Sequence, residues 1–281
     1  MTSGAIGIPA GSFYQGPEFE PYLLAGGSPA ALLVHGFPGT PAELRPLADE
    51  LHRAGWTARG MLLPGFGPGI HTLPRQTRAD WVTAVASELA ALKREHAPVL
   101  LIGFSFGGPV SILAAEQTPP TGLVLLAPFV WQDPAPLRVL GPLAPLALPR
   151  TIRPFAGTNL ADPANRDRVA ALLGMGQLDA AGAEALHRLS VPGSVLRQVR
   201  ATAWPRRHDL SAMPVPPLII AGRDDAISHP DAGRRLATRL GAGSTLYEVP
   251  GAHELISPAH QAWDEVLALT LGYGRTLLRV G

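Results

Sequence analysis

The sequence predicts an α/β protein with a mainly parallel central sheet flanked by helices, and three observations carry that expectation. Short apolar runs recur along the chain, at Ala30 to Val34, Val99 to Ile102, Gly122 to Ala127 and Pro217 to Ala221. Each has the length and aliphatic content of a strand covered on both faces. Longer segments with apolar residues at helical spacing separate them, and glycine-rich turns follow them, where open parallel sheets gather their sites.

Residues 1 to 18 are rich in Gly, Pro and Ser and read as a surface lead-in; Glu20 to Ala25 offers a modest strand. Ala30 to Val34 is the first strong strand and runs into His35, Gly36, Phe37, Pro38, Gly39. A helix should follow, with Thr40 as N-cap, Pro41 at the first helical position, Glu43 completing a capping box, and Leu44, Leu47 and Leu51 on its apolar face. Trp56 to Leu63 is the next strand, ending in Pro64, Gly65, Phe66, Gly67, and Trp81, Val85, Leu89 and Leu92 mark the helix after it. Beyond the run at Val99, the residues Val110, Ile112, Leu113, Ala114 and Ala115 read as a helix. Gly122 to Ala127, Pro217 to Ala221 and Ser244 to Val249 complete the strands, with helices over 230–240 and 258–272, the second opened by Ser257 and Pro258.

One interval breaks the alternation. Residues 131–212 are too many for a connection, since structureless loops beyond about 12 to 15 residues are uncommon in compact domains. A helical insertion is expected there, dividing the core into 1–130 and 213–281. Asp162 and Pro163 start a helix that Gly174 ends, Asp179 caps a second through Leu189, and Pro192 to Val199 holds a third. Trp131 to Arg150 is rich in Leu and Pro, and Pro142 to Pro149 is the low-complexity patch of the chain.

Composition narrows the function classes. With 281 residues, 46% of them hydrophobic, the chain can bury one large core. Its 23 basic and 22 acidic residues leave a net charge of +1 without long runs of either sign, so no nucleic-acid footprint is present. The absence of cysteine excludes disulfides, thiolate metal sites and a cysteine nucleophile. Met1 to Ala10 lacks a basic start followed by an apolar core, and no apolar run approaches the about 18 residues of a membrane span. A cytoplasmic protein is expected.

The chemistry-bearing stretch is Gly103, Phe104, Ser105, Phe106, Gly107, Gly108. Gly103, Ser105 and Gly107 fit the GxSxG nucleophile elbow, in which a serine sits on a strained strand-to-helix turn between residues that must be small. A serine hydroxyl is a poor nucleophile at neutral pH, so it needs a base, and the base needs an acceptor that fixes its tautomer. Downstream, Gly222, Arg223, Asp224, Asp225 follow one strand and Gly251, Ala252, His253 follow the last. That is the chain order Ser, Asp, His of the elbow enzymes.

With the loop His35, Gly36, Phe37, Gly39 ahead of these three motifs, four stand in order, and the chain resembles an α/β-hydrolase with a cap inserted after the sixth strand, most similar to small bacterial carboxylesterases and monoacylglycerol lipases. The resemblance covers nearly the whole chain and implies the α/β-hydrolase fold. It makes Ser105 the nucleophile, His253 the general base and then acid, and Asp225 the orienting carboxylate, with Asp224 and Asp133 as the alternatives for that acid. It also implies an oxyanion hole built from the backbone N–H groups of Phe37 and Phe106. Gly65, Phe66, Gly67 depart from the family pattern, which commonly carries a histidine between the glycines.

His35 reads as a structural histidine bracing its loop, and His71, His208 and His229 as exposed loop residues without metal-ligand spacing. Trp131 and Phe104 are the candidates for substrate contact. The function so implied is hydrolysis of carboxylic esters with small to medium lipophilic acyl chains through an acyl-enzyme, with no cofactor and no metal. The partner is a small-molecule ester, and monomer and homodimer both stay open. Thioesterase-like or carbon–carbon bond hydrolysis and cofactor-free perhydrolysis would use the same site. A non-catalytic ligand-binding protein is the reading from a different class.

Overall fold

The computed structural model describes residue 14 and residues 16–132, 149–203, 213–241 and 243–279. Its centre is a seven-stranded sheet of order β1-β3-β2-β4-β5-β8-β9. The strands are β1 (Tyr22–Leu24), β2 (Ala30–Val34), β3 (Thr57–Met61), β4 (Val99–Phe104), β5 (Gly122–Leu126), β8 (Leu218–Gly222) and β9 (Thr245–Val249). All neighbours pair in parallel except β1, which runs antiparallel along β3 at one edge.

The continuous apolar runs have a direct cause: β2, β4, β5 and β8 are buried along their full length. Their residues alternate between two cores, as a period of two requires. Leu32, Leu101, Leu123 and Ile219 point into one, while Leu33, Ile102, Val124 and Ile220 point into the other. Helices α2 (Arg78–Glu95), α3 (Gly107–Gln117) and α7 (Pro230–Leu240) line the first core, and α1 (Arg45–Arg53) and α8 (Trp263–Leu277) line the second.

Two helix starts differ from expectation. Residues Pro41–Leu44 form a 3-10 turn before α1, and the Thr40 side chain caps nothing; its hydroxyl is buried without a hydrogen-bond partner among the described residues. Glu43 turns away from the cap to accept from the Gly36 N–H at 2.8 Å. A true capping box opens α2 instead, where Thr77 accepts from the Asp80 N–H and Asp80 accepts from the Thr77 N–H. The last helix begins at Trp263 rather than at 258, because Ser257 to Ala262 is spent on successive tight turns, His260 N–H to Ser257 C=O and Trp263 N–H to His260 C=O.

The long interval contains α4 (Pro163–Leu172), α5 (Ala180–Arg188), α6 (Gly193–Ala203) and a two-stranded ribbon of β6 (Thr151–Ile152) and β7 (Val191–Pro192). Asp162 and Asp179 accept from backbone N–H groups as N-caps, and Gly174 follows α4 at φ 66°. The interval's two ends are tied together where the Trp131 N–H donates to Ala203 C=O at 2.8 Å. Along the described sheet it follows β5 and precedes β8. Most of the Leu/Pro stretch, including Pro142 and Asp133, lies outside the described residues, as does His208.

Candidate active site

Parallel strands deliver their carboxyl ends to one edge, and four of them place the motif residues there. Ser105 follows β4, the His35 to Gly39 loop follows β2, Asp225 follows β8 and His253 follows β9. Ser105 adopts φ 50°, a left-handed conformation costing a non-glycine residue about 1 to 2 kcal/mol. The turn is held by its own backbone: the Ser105 N–H donates to Leu126 C=O at 2.9 Å, and Ser105 C=O accepts from Gly108 and Phe129 N–H at 3.0 Å.

The spacing of the elbow glycines is steric. A Cβ at Gly107 would stand 2.2 Å from the Val34 carbonyl oxygen, and one at Gly103 would stand 2.6 Å from Gly107 O. Only hydrogen at both positions lets α3 start directly over the ends of β2 and β4.

The structure brings Ser105, His253 and Asp225 together. His253 Nε2 lies 2.9 Å from Ser105 Oγ, and His253 Nδ1 lies 2.7 Å from Asp225 Oδ2. All three are buried. Burial by itself would raise the Asp225 carboxyl, but hydrogen bonding and charge attraction from His253, with the Ser228 and Ile227 N–H groups, more than offset it. The carboxyl is held below its ordinary range and stays ionised. Both backbone donors bond Asp225 Oδ1, at 2.7 and 2.8 Å, leaving Oδ2 aimed at the imidazole. Asp224 points elsewhere and accepts from the Gly251 N–H at 3.2 Å, joining the turn after β8 to the loop that carries His253.

Facing the serine is the His35 to Gly39 loop. The Leu63 N–H donates to His35 Nε2 at 3.0 Å, so Nδ1 carries the proton and donates to Gly36 C=O at 2.8 Å. Burial drives the His35 pKa down to about 4 against a smaller opposing effect of that bond, which keeps the ring neutral. Gly39 N–H also donates to Gly36 C=O, at 3.2 Å. With that carbonyl pinned, the trans Gly36–Phe37 peptide must send its N–H the opposite way. Neither the Phe37 nor the Phe106 N–H donates a hydrogen bond among the described residues.

Glu43 is the residue that sequence reasoning missed. It is 3% exposed, sealed beneath the loop, and burial raises its carboxyl to about 8 despite the Gly36 N–H bond. Its position three residues after Thr40 gave a signal, but one that reads as a helix cap.

Phe104, expected at the substrate, is 1% exposed and packs its ring 5.2 Å from that of His253, which it supports from inside the core. Trp131 is partly exposed and sits edge-on to Phe129, whose N–H holds the Ser105 carbonyl. Phe66, where the family histidine is replaced, packs against His35, Phe37, Trp81 and Phe106 with ring centroids 5.1 to 6.4 Å apart. It joins both expected oxyanion residues through one aromatic cluster. His71 and His229 are exposed, and among the described residues no group of three His, Asp or Glu could hold a metal ion. No described helix is long and apolar enough to cross a membrane.

The insertion reaches the site at two points. Arg168 of α4 lies 3.7 Å from Glu254, the neighbour of His253. At Gly174 a Cβ would stand 2.3 Å from the Ala42 carbonyl carbon and 2.4 Å from the Glu43 nitrogen.

Comparison with known proteins agrees with this geometry. A family model described as the alpha/beta hydrolase family matches residues 31–269. A thermostable monoacylglycerol lipase of Bacillus sp. (strain H-257) is 37% identical over 100 residues, 36% of this chain and 40% of that protein. A carboxylesterase of Bacillus subtilis (strain 168) is 31% identical over 106 residues, 37% of this chain and 43% of that protein. The matched stretch thus spans less than half the length of these curated relatives. Among solved structures, one of the metagenome-derived lipolytic enzymes LipS and LipT superposes with a TM-score of 0.69 at 20% identity, covering 92% of this chain and 98% of that one. The monoacylglycerol lipase of Paleococcus ferrophilus gives a TM-score of 0.63 at 22% identity, covering 90% and 98%. At these identities the superpositions speak to fold.

Proposed function

The chain belongs to the alpha/beta hydrolase family, and from that premise we propose that it is a serine hydrolase cleaving carboxylic esters of small to medium lipophilic acyl chains. One observation carries the reading: a serine on a strained elbow, in hydrogen-bond contact with a histidine that an ionised, backbone-anchored aspartate orients. Replacing a buried ion-paired unit by apolar residues is often neutral or stabilising, so stability alone does not account for this one.

In this reading Ser105 Oγ attacks the ester carbonyl while His253 Nε2 takes its proton, and the Phe37 and Phe106 N–H groups receive the negative oxygen. The tetrahedral intermediate collapses as His253 returns that proton to the leaving alcohol, giving an acyl-Ser105 ester. Water, deprotonated by His253, attacks the acyl carbon, and collapse restores the serine and releases the acid. Asp225 keeps the Nδ1 proton in place and stabilises the imidazolium without taking it.

The choice of ester as substrate is supported by the two curated relatives, a monoacylglycerol lipase and a carboxylesterase. Residues 131–212 are assigned as the cap, on the closure of its ends at Trp131 and Ala203 and its approach to Glu254 and Ala42. Trp131 and the exposed part of Phe37 are assigned to the acyl side of the pocket.

The test is hydrolysis of p-nitrophenyl esters from acetate to palmitate, with Ser105→Ala beside the wild type. Turnover peaking at short or medium chains and vanishing in the variant is expected. Wild-type inactivity on every ester, with Ser105 still labelled by a fluorophosphonate, would mean that the substrate class is wrong.

A further inference from the structure

Glu43 stands out because the triad makes no use of it, yet its carboxyl is buried beneath the loop that faces the nucleophile. Its Oε2 accepts the Gly36 N–H at 2.8 Å, and a Cβ built on Gly36 would lie 3.4 Å from that oxygen and 3.1 Å from Ser105 Cβ. Gly36 is therefore a single-residue spacer between the Glu43 carboxyl and the serine. The other carboxyl oxygen fills the place where Gly39 would carry a side chain, with Oε1 1.6 Å from that Cβ position. In the same loop His35, neutral, holds the next carbonyl through its Nδ1–H. Tyr14 itself donates to Pro38 C=O at 2.6 Å, so the loop is tied at both ends of its turn.

We propose that Glu43 is a positioning residue for the oxyanion hole: its buried carboxyl clamps the His35–Gly36 peptide while His35 clamps the Gly36–Phe37 peptide, and the two clamps together aim the Phe37 N–H at the oxygen of the tetrahedral intermediate. The inference rests on the ester-hydrolase reading for its substrate, but the clamp is read from the geometry alone. Two consecutive peptides held in opposite senses cannot rotate independently. Releasing the first frees the second, and a donor misplaced by about 1 Å costs up to about 100-fold in rate.

The experiment compares Glu43→Leu, which fills the site but offers no acceptor, with Glu43→Gln, whose amide oxygen can take the same N–H. Glu43→Ala stands in for the leucine variant if that one does not fold, as judged by thermal melting. With p-nitrophenyl butyrate, the acceptor-free variant should lose about 10- to 100-fold in kcat with KM within about twofold, and glutamine should restore most of the loss. Affinity for a trifluoromethyl ketone, which adds Ser105 Oγ to its carbonyl and places the resulting oxyanion in the hole, should weaken by the same factor as kcat.

The second readout is the rate constant for fluorophosphonate labelling. There Ser105 Oγ bonds to phosphorus, fluoride leaves, His253 takes the serine proton, and the phosphoryl oxygen uses the same donors. It needs no ester turnover. If the wild type is labelled but hydrolyses no ester, the ester reading fails, and the labelling rate of the acceptor-free variant still decides the clamp. Unchanged kcat, ketone affinity and labelling rate in a folded acceptor-free variant would overturn the proposal. So would a loss that appears wholly in KM, or one that glutamine does not relieve.

Discussion

The buried Glu43 carboxyl makes the stability of the fold depend on pH in a direction opposite to that of an ordinary surface carboxylate. In the folded chain it keeps its proton up to about 8, whereas in the unfolded chain it releases it at the ordinary value of 4.5. Between those limits the native state binds more protons than the unfolded state, so stability falls as pH rises. The stabilisation of the neutral form is fully present below 4.5 and is lost through about 8. At 1.36 kcal/mol per unit, the window is worth about 5 kcal/mol. His35 works the other way, since its folded value of about 4 lies below the ordinary 6.5. Its contribution is present above 6.5 and is lost as pH falls toward 4. The two nearly cancel in the mildly acidic range, which would hide Glu43 in a wild-type titration.

Glu43→Gln removes that ambiguity, because it cannot ionise and leaves His35 and Asp225 as common background. Urea unfolding followed by tryptophan fluorescence, at steps from pH 4.5 to 8.5, gives the difference between wild type and variant directly. The wild type should lose about 4 kcal/mol relative to the variant across the range, about 2 kcal/mol of it above pH 6.5. Two parallel stability curves would refute the reasoning, since they would require a Glu43 carboxyl that ionises as readily in the fold as outside it.

Replacing Asp225 by Asn should reduce kcat by about 10⁴-fold by leaving His253 in the wrong tautomer, whereas Asp224→Asn should leave kcat little changed; steady-state kinetics on the same ester decides between them. Gly107→Ala should destabilise the protein by about 3 kcal/mol, because its methyl group meets a backbone carbonyl that cannot swing away. Urea midpoints at pH 7 check this, and a variant as stable as wild type would contradict the steric reading of the elbow.

The strands and most helices were legible because their causes are local. Full burial on both faces writes a continuous apolar run into β2, β4 and β5, and Asp162 and Asp179 are caps whose chemistry needs no distant partner. The candidate site was legible where backbone strain demands a residue type, at Gly103, Ser105 and Gly107, and where chain order offers partners that the fold brings together. What escaped is what depends on the far side of the fold. Thr40 and Glu43 have the letters of a capping box, and only the descent of the Gly36 loop onto them converts Glu43 from a surface cap into a buried clamp. Phe104, a candidate for substrate contact, is turned inward by strand alternation and lies against His253. The 257–262 turns were misread as helix because Ser-Pro is the usual opening of one, and here the serine oxygen accepts from Ala259 to close a turn.

The contact at Gly174 bears on any attempt to transplant caps between relatives. At that point the insertion rests on the core through bare main chain, with Ala42 and Glu43 directly opposite and no room for even one carbon between them. A donor cap carrying any side chain there would have to ride higher, and it would lift off the same turn that holds the Gly36 peptide. On the proposed reading of residues 131–212 as a cap, exchanging them would therefore also alter what rests on the turn beneath the proposed oxyanion loop. A graft that keeps an unsubstituted seat at this position should preserve rate while changing substrate, and one that does not should lose both together.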